Sequence, residues 1–113
     1  QSVGIAALPL YNMHMISSDE VFARLKQVAP QLRDRGVTHL AVFGSVARGD
    51  VADAGDLDIL VKLDQRYKSF DAFMDIKFLL EDLFPETKVD LVLEDALKPA
   101  IRERILTEAR DVA

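Results

Sequence analysis

The chain has 113 residues, half of them hydrophobic, and no cysteine. This fits one globular domain with a modest core, excludes disulfides and thiolate metal sites, and suits the cytoplasm. A net charge of −5 argues against direct nucleic-acid binding, which needs a basic face, and no apolar run is long enough to span a membrane.

The first residues, QSVGIAALPLYNMHM, are mildly apolar but lack the basic start of a signal peptide. His14-Met15 resembles the pair left by a common cloning site. Residues 1–14 are therefore expected to be vector-derived or disordered, with Met15 or Met13 as the native start and 15–113 as the domain. Ser17 and Glu20 have capping-box spacing, and Phe22, Leu25, Val28, Ala29 and Leu32 then share one helical face. Pro30 is expected to kink this helix and Gly36 to end it. A strand over 38–43 follows, then a Gly44-Ser45 turn into a short helix, a polar loop over 50–55 and a strand over 56–63. Ser69 caps a second long helix whose phenylalanines are spaced as core. Val89 to Leu93 reads as a third strand, and 97–112 as a last amphipathic helix starting near Pro99. Strands alternating with helices indicate an α/β (α+β) domain.

The chemistry concentrates in FGSVARGDVADAGDLDILVK, Phe43 to Lys62. Side chains alternate along a strand, so Asp56 and Asp58 point the same way at the start of an apolar strand. Asp90 opens the next apolar run, VDLVL. Three carboxylates on one side of a small sheet repel one another unless a cation fills the cluster. Hard oxygen donors select magnesium or manganese, commonly shared with a substrate's phosphates. Asp56 and Asp58 could be plain surface charges, but aspartate is disfavoured in strands and a same-face pair beside the core needs a reason. Asp90 gains meaning from that pair, as a metal ligand and as acceptor of the attacking hydroxyl's proton. Gly44 lets backbone amides approach phosphates, and the Ser45 hydroxyl adds a donor. Nucleotidyl transfer needs both parts together. Arg48 reads equally as a phosphate clamp or as a partner that holds Asp50. His14 and His39 lack metal-ligand spacing, and His39 reads as a packed strand residue. Tyr67 and Lys68 read as solvated loop residues, and the charges of the last helix as a solvated face or a docking surface.

Gly44-Ser45, Ala47-Arg48-Gly49-Asp50 and Asp56-Leu57-Asp58 together resemble the signature of the DNA polymerase beta-type nucleotidyltransferase superfamily, and the short length and VARGD spelling resemble the minimal nucleotidyltransferases. The resemblance runs from about Ser17 to the C-terminus. It implies a polymerase-beta-like core, a small mixed sheet with flanking helices. It implies that two magnesium ions are held by Asp56, Asp58 and Asp90, and that ATP is bound at Gly44, Ser45 and Arg48. It further implies transfer of AMP to a hydroxyl, a tyrosine of a HEPN-domain toxin, with the chain acting as antitoxin in a hetero-oligomer. Gly55 stands where the family usually has serine, which weakens a local hydrogen bond but removes no carboxylate. So short a chain leaves no room for an acceptor-binding domain, so the acceptor is expected to bring its own surface. Two other classes stay open: a non-catalytic module that neutralises a toxin by occlusion, and an enzyme modifying a small molecule.

Overall fold

A computed structural model of the chain describes residues 16–49 and 57–112. The segment 1–14, expected to be vector-derived or disordered, and either start methionine lie outside the described residues, as do Asp50, Gly55 and Asp56.

The first helix, α1 (Ser18–Asp34), starts where the sequence predicts. The Ser17 hydroxyl accepts from Glu20 N at 3.1 Å, and Asp19 and Glu20 place negative charge at the positive end of the helix dipole. The Glu20 carboxylate pairs with Arg24 at 3.0 Å. Val21, Leu25, Ala29 and Leu32 face the core. Pro30 lies on the exposed side, and the helix runs past it to Asp34. Gly36, at φ +94°, then turns the chain. A Cβ there would lie 2.4 Å from the Tyr67 Cβ, so this glycine also lets Tyr67 close over the turn.

Among the described residues four strands make one mixed sheet in the order β3-β2-β1-β4. β1 (Val37–Phe43) runs antiparallel to β2 (Leu57–Leu63), and β2 runs parallel to β3 (Val89–Leu93). Between β1 and β2 the chain forms a four-residue helix, α2 (Gly44–Ala47). Between β2 and β3 it passes through a 3₁₀ turn (Gln65–Tyr67) and helix α3 (Phe70–Leu83), capped by the Ser69 hydroxyl as expected. The crossover helix is what a parallel strand pair requires.

One face of the sheet is the core. Leu40, Val42, Leu57, Ile59 and Val61 pack there with α1 and with Ile76, Leu80 and Phe84 of α3 and its end. Leu57, Ile59 and Val61 of β2 thus all face inward. Arg24 ties the two helices together by a bidentate pair with Glu86 (2.8 and 2.7 Å) and a bond to Leu83 O at 3.0 Å. This guanidinium holds the Glu86 carboxyl below its usual range.

Three expectations need correction. The C-terminal helix α4 (Pro99–Glu108) does not reach Val112: Arg110–Asp111 form β4, antiparallel to β1, and Val112 N donates to Leu40 O at 2.9 Å. The described sheet therefore gains a fourth strand, because the outer edge of β1 offers unpaired backbone groups that a helix would leave unsatisfied. The phenylalanines of α3 are not all core either. Ile76 and Leu80 are its buried residues, whereas Phe70 and Phe78 are exposed. Lys68 is also more than a solvated loop residue, since its ammonium pairs with Asp95.

Candidate active site

The second face of the sheet carries the residues left out of the core. Alternation puts His39, Ala41 and Phe43 of β1 there, with Asp58, Leu60 and Lys62 of β2 and Asp90 and Val92 of β3. Ala41 and Leu60 are fully buried on this side, and α4 packs against β1 and α2.

At one end of this face, Asp58 and Asp90 are direct register partners in the parallel β2–β3 ladder. Two of the three predicted carboxylates are thus neighbours, Asp58 half-buried and Asp90 exposed. The third, Asp56, lies outside the described residues. Across the antiparallel ladder, Asp58 faces Phe43, the last residue before Gly44. Gly44 has φ +73°, and a Cβ on it would lie 2.3 Å from Asp58 Oδ2. A side chain there would be strained by the left-handed φ and would displace the Asp58 carboxylate. The sequence assigns this glycine to phosphate approach; the fold adds that it makes room for the carboxylate. Ser45 follows, half-buried, in α2. Gly44, Ser45, Asp58 and Asp90 therefore meet at one edge of the sheet.

Arg48 sits at the other end of α2, exposed, with its guanidinium 4.0 Å from Glu108 Oε1 on α4. Its alternative partner, Asp50, lies outside the described residues. Among the described residues no three His, Cys, Asp or Glu side chains form a metal site. The donor set nevertheless suits a hard divalent cation: two adjacent carboxylates on a face open enough to leave Asp90 in solvent.

Sequence reasoning missed a second cluster on the same face. His39 Nδ1 lies 2.7 Å from Glu94 Oε1, and His39 Nε2 lies 2.7 Å from Asp111 Oδ1. Glu94 is buried, in the 3₁₀ turn (Glu94–Ala96) after β3, and Arg102 of α4 donates to its carbonyl at 2.9 Å and approaches its carboxylate at 3.4 Å. With a carboxylate at each nitrogen, led by Asp111, the imidazole is held protonated to higher pH than usual. The partners lie 55 and 72 residues away in the chain, so no local spacing could have revealed them.

The glycine turn and strand carboxylates are a pattern that similarity to known proteins can decide. Residues 25–112 match the family model described as "Nucleotidyltransferase domain". The chain belongs to that family. It is a nucleotidyltransferase of the minimal kind, built on the mixed sheet and flanking helices expected of one. It is 35% identical over 97 residues to the protein adenylyltransferase MntA of Thermococcus cleftensis, covering 85% of this chain and 96% of that protein. It also superposes on a solved structure assigned as a minimal nucleotidyltransferase, with a TM-score of 0.74 and 34% identity, over 84% of this chain and 95% of that one. No described helix of this nucleotidyltransferase is long and apolar enough to cross a membrane.

Proposed function

We propose that this nucleotidyltransferase moves AMP from ATP to a hydroxyl of a protein, a tyrosine of a helical HEPN-domain toxin, and so acts as an antitoxin. The observation that carries the reading is the meeting of Asp58 and Asp90 in register beside Gly44. A relative named protein adenylyltransferase supports the choice of AMP and of a protein acceptor.

Asp58 and Asp90, with Asp56, would hold the magnesium ions, two by the resemblance. Bound there, magnesium would neutralise charge on the triphosphate and on the oxygens that attack and leave. The chain's own groups do the rest. The amides at Gly44 and the Ser45 hydroxyl orient the phosphates. Asp90 accepts the proton of the acceptor hydroxyl, whose oxygen bonds to the α-phosphorus. The bond from that phosphorus to the bridging oxygen breaks, and pyrophosphate leaves with the electron pair. Most of the acceleration is positioning and electrostatics.

The test incubates the chain with labelled ATP, magnesium and a purified HEPN-domain protein from the same genome, then maps added mass. AMP on a tyrosine, lost with Asp90→Asn, is the expected result. Complete neutralisation by Asp90→Asn with no label on either protein would replace catalysis by occlusion.

A further inference from the structure

Helix α3 buries Ile76 and Leu80 and turns the opposite stripe to solvent. On that stripe Phe70 is 74% exposed and Phe78 54% exposed, with Met74 between them. Spacing of four residues makes these three one apolar ridge, roughly 12 Å long. Exposed apolar residues scattered singly need no explanation, but two open phenylalanines in line on one helix do.

The flanks of the ridge differ. On one side Lys77 is already engaged by Glu81 of its own helix, at 3.1 Å. On the other, helical geometry aligns Asp71, Asp75 and Asp82. None of these three pairs with a cation among the described residues, whereas Asp64, Glu86 and Asp95 elsewhere all do. Asp71 also favours the helix start through the dipole, but Asp75 and Asp82 lie too far along for that. A solvated face normally mixes its charges; this one keeps a single sign beside an apolar ridge.

We infer that the exposed face of α3 docks an amphipathic helix of a partner protein, with apolar residues against Phe70, Met74 and Phe78 and a row of lysines or arginines along Asp71, Asp75 and Asp82. Charge selects this occupant. A second copy packed antiparallel on α3 across a two-fold axis would bring the acidic row against itself, and in any packing each copy carries a net charge of −5. A nucleic acid or an anionic lipid surface would meet the same carboxylates. α3 packs on the core face of the sheet, opposite Asp58 and Asp90, so the docked helix leaves those carboxylates uncovered.

The probe is a synthetic 18-residue amphipathic helix with leucine and phenylalanine on one face and lysines along one flank. Its twin carries glutamates in place of the lysines. Fluorescence anisotropy with the full chain should give a dissociation constant on the order of 10 μM for the basic peptide and binding at least about tenfold weaker for the acidic one. Amide shifts on binding should map to α3. Asp75→Lys with Asp82→Lys should weaken the basic peptide by about tenfold or more and strengthen the acidic one, and Phe78→Asp should weaken both. ATP binding with magnesium should stay unchanged in these variants, which shows that they are folded. Equal binding of the two peptides overturns the proposal, as do shifts mapping away from α3. So does self-association of the chain that Phe78→Asp abolishes, which would make a second copy the occupant.

Discussion

The two ends of one sheet face handle charge in opposite ways. At the His39 end, two carboxylates, an imidazole and a guanidinium satisfy one another, and Glu94 is buried among them. At the Gly44 end, Asp58 and Asp90 stand side by side, and Asp90 pairs with no cation among the described residues. The first arrangement holds elements together: β1, the turn after β3, α4 and β4 all meet there. The second keeps Asp90 exposed, with Asp58 beside it in register, at the place proposed for a cation and a substrate. Carboxylates that meet a cation of the chain hold elements together; carboxylates set next to one another are the ones proposed for chemistry.

The sharpest way to break this contrast is to neutralise each end. Asp58→Ala and Asp90→Ala should each lower AMP transfer by at least about a thousandfold, a loss on the order of 4 kcal/mol of transition-state stabilisation. In the metal-free protein their melting temperatures should stay level or rise, because a repulsion is relieved. A large fall in melting temperature would make these aspartates structural. Gly44→Ala should fail on both counts, because the left-handed φ and the Asp58 contact both resist a Cβ. It should cost about 1–3 kcal/mol in denaturant unfolding and depress transfer as well.

Glu94→Gln should show the reverse of the aspartates, with stability down by about 1–3 kcal/mol and nucleotide binding little changed when read by calorimetry. Asp56→Asn tests the carboxylate that the described residues omit: calorimetry with ATP and magnesium should show weaker binding than wild type, and equal binding would remove Asp56 from the site. The smallest expected effect is on pH. The pKa of His39 is raised in the folded chain, so its stabilisation is complete below its unfolded value of about 6.5 and is lost as pH rises through the higher folded value. The melting temperature should decline across that window, and His39→Gln should flatten the decline.

What the sequence revealed and what it hid follow from range. The Gly44-Ser45 turn, the Asp58 strand and the VDLVL run are local patterns, and their alternation places Asp58 and Asp90 on one face before any tertiary contact is known. The sequence could not place Asp58 against Gly44, because that contact depends on the β1–β2 register. The end of α4 at Glu108 was hidden for a related reason: Ala109 to Val112 could continue a helix, and only the open edge of β1 draws them into a strand. The α3 phenylalanines misled because apolar spacing marks a face without saying what covers it. His39 looked like a lone strand histidine, as it is in sequence; its carboxylates arrive from the far half of the chain.

The parallel ladder between β2 and β3 carries one more consequence. Strand side chains repeat every two residues, so a slip of one position would swing Asp90 away from Asp58 and at the same stroke expel Leu91 and Val89 from the core. With Asp58 and Asp90 in the proposed site, misaligned molecules should be inactive and unstable together. Residual activity through a heating series should superimpose on the unfolding curve, and the turnover of any preparation becomes a direct count of its correctly aligned molecules.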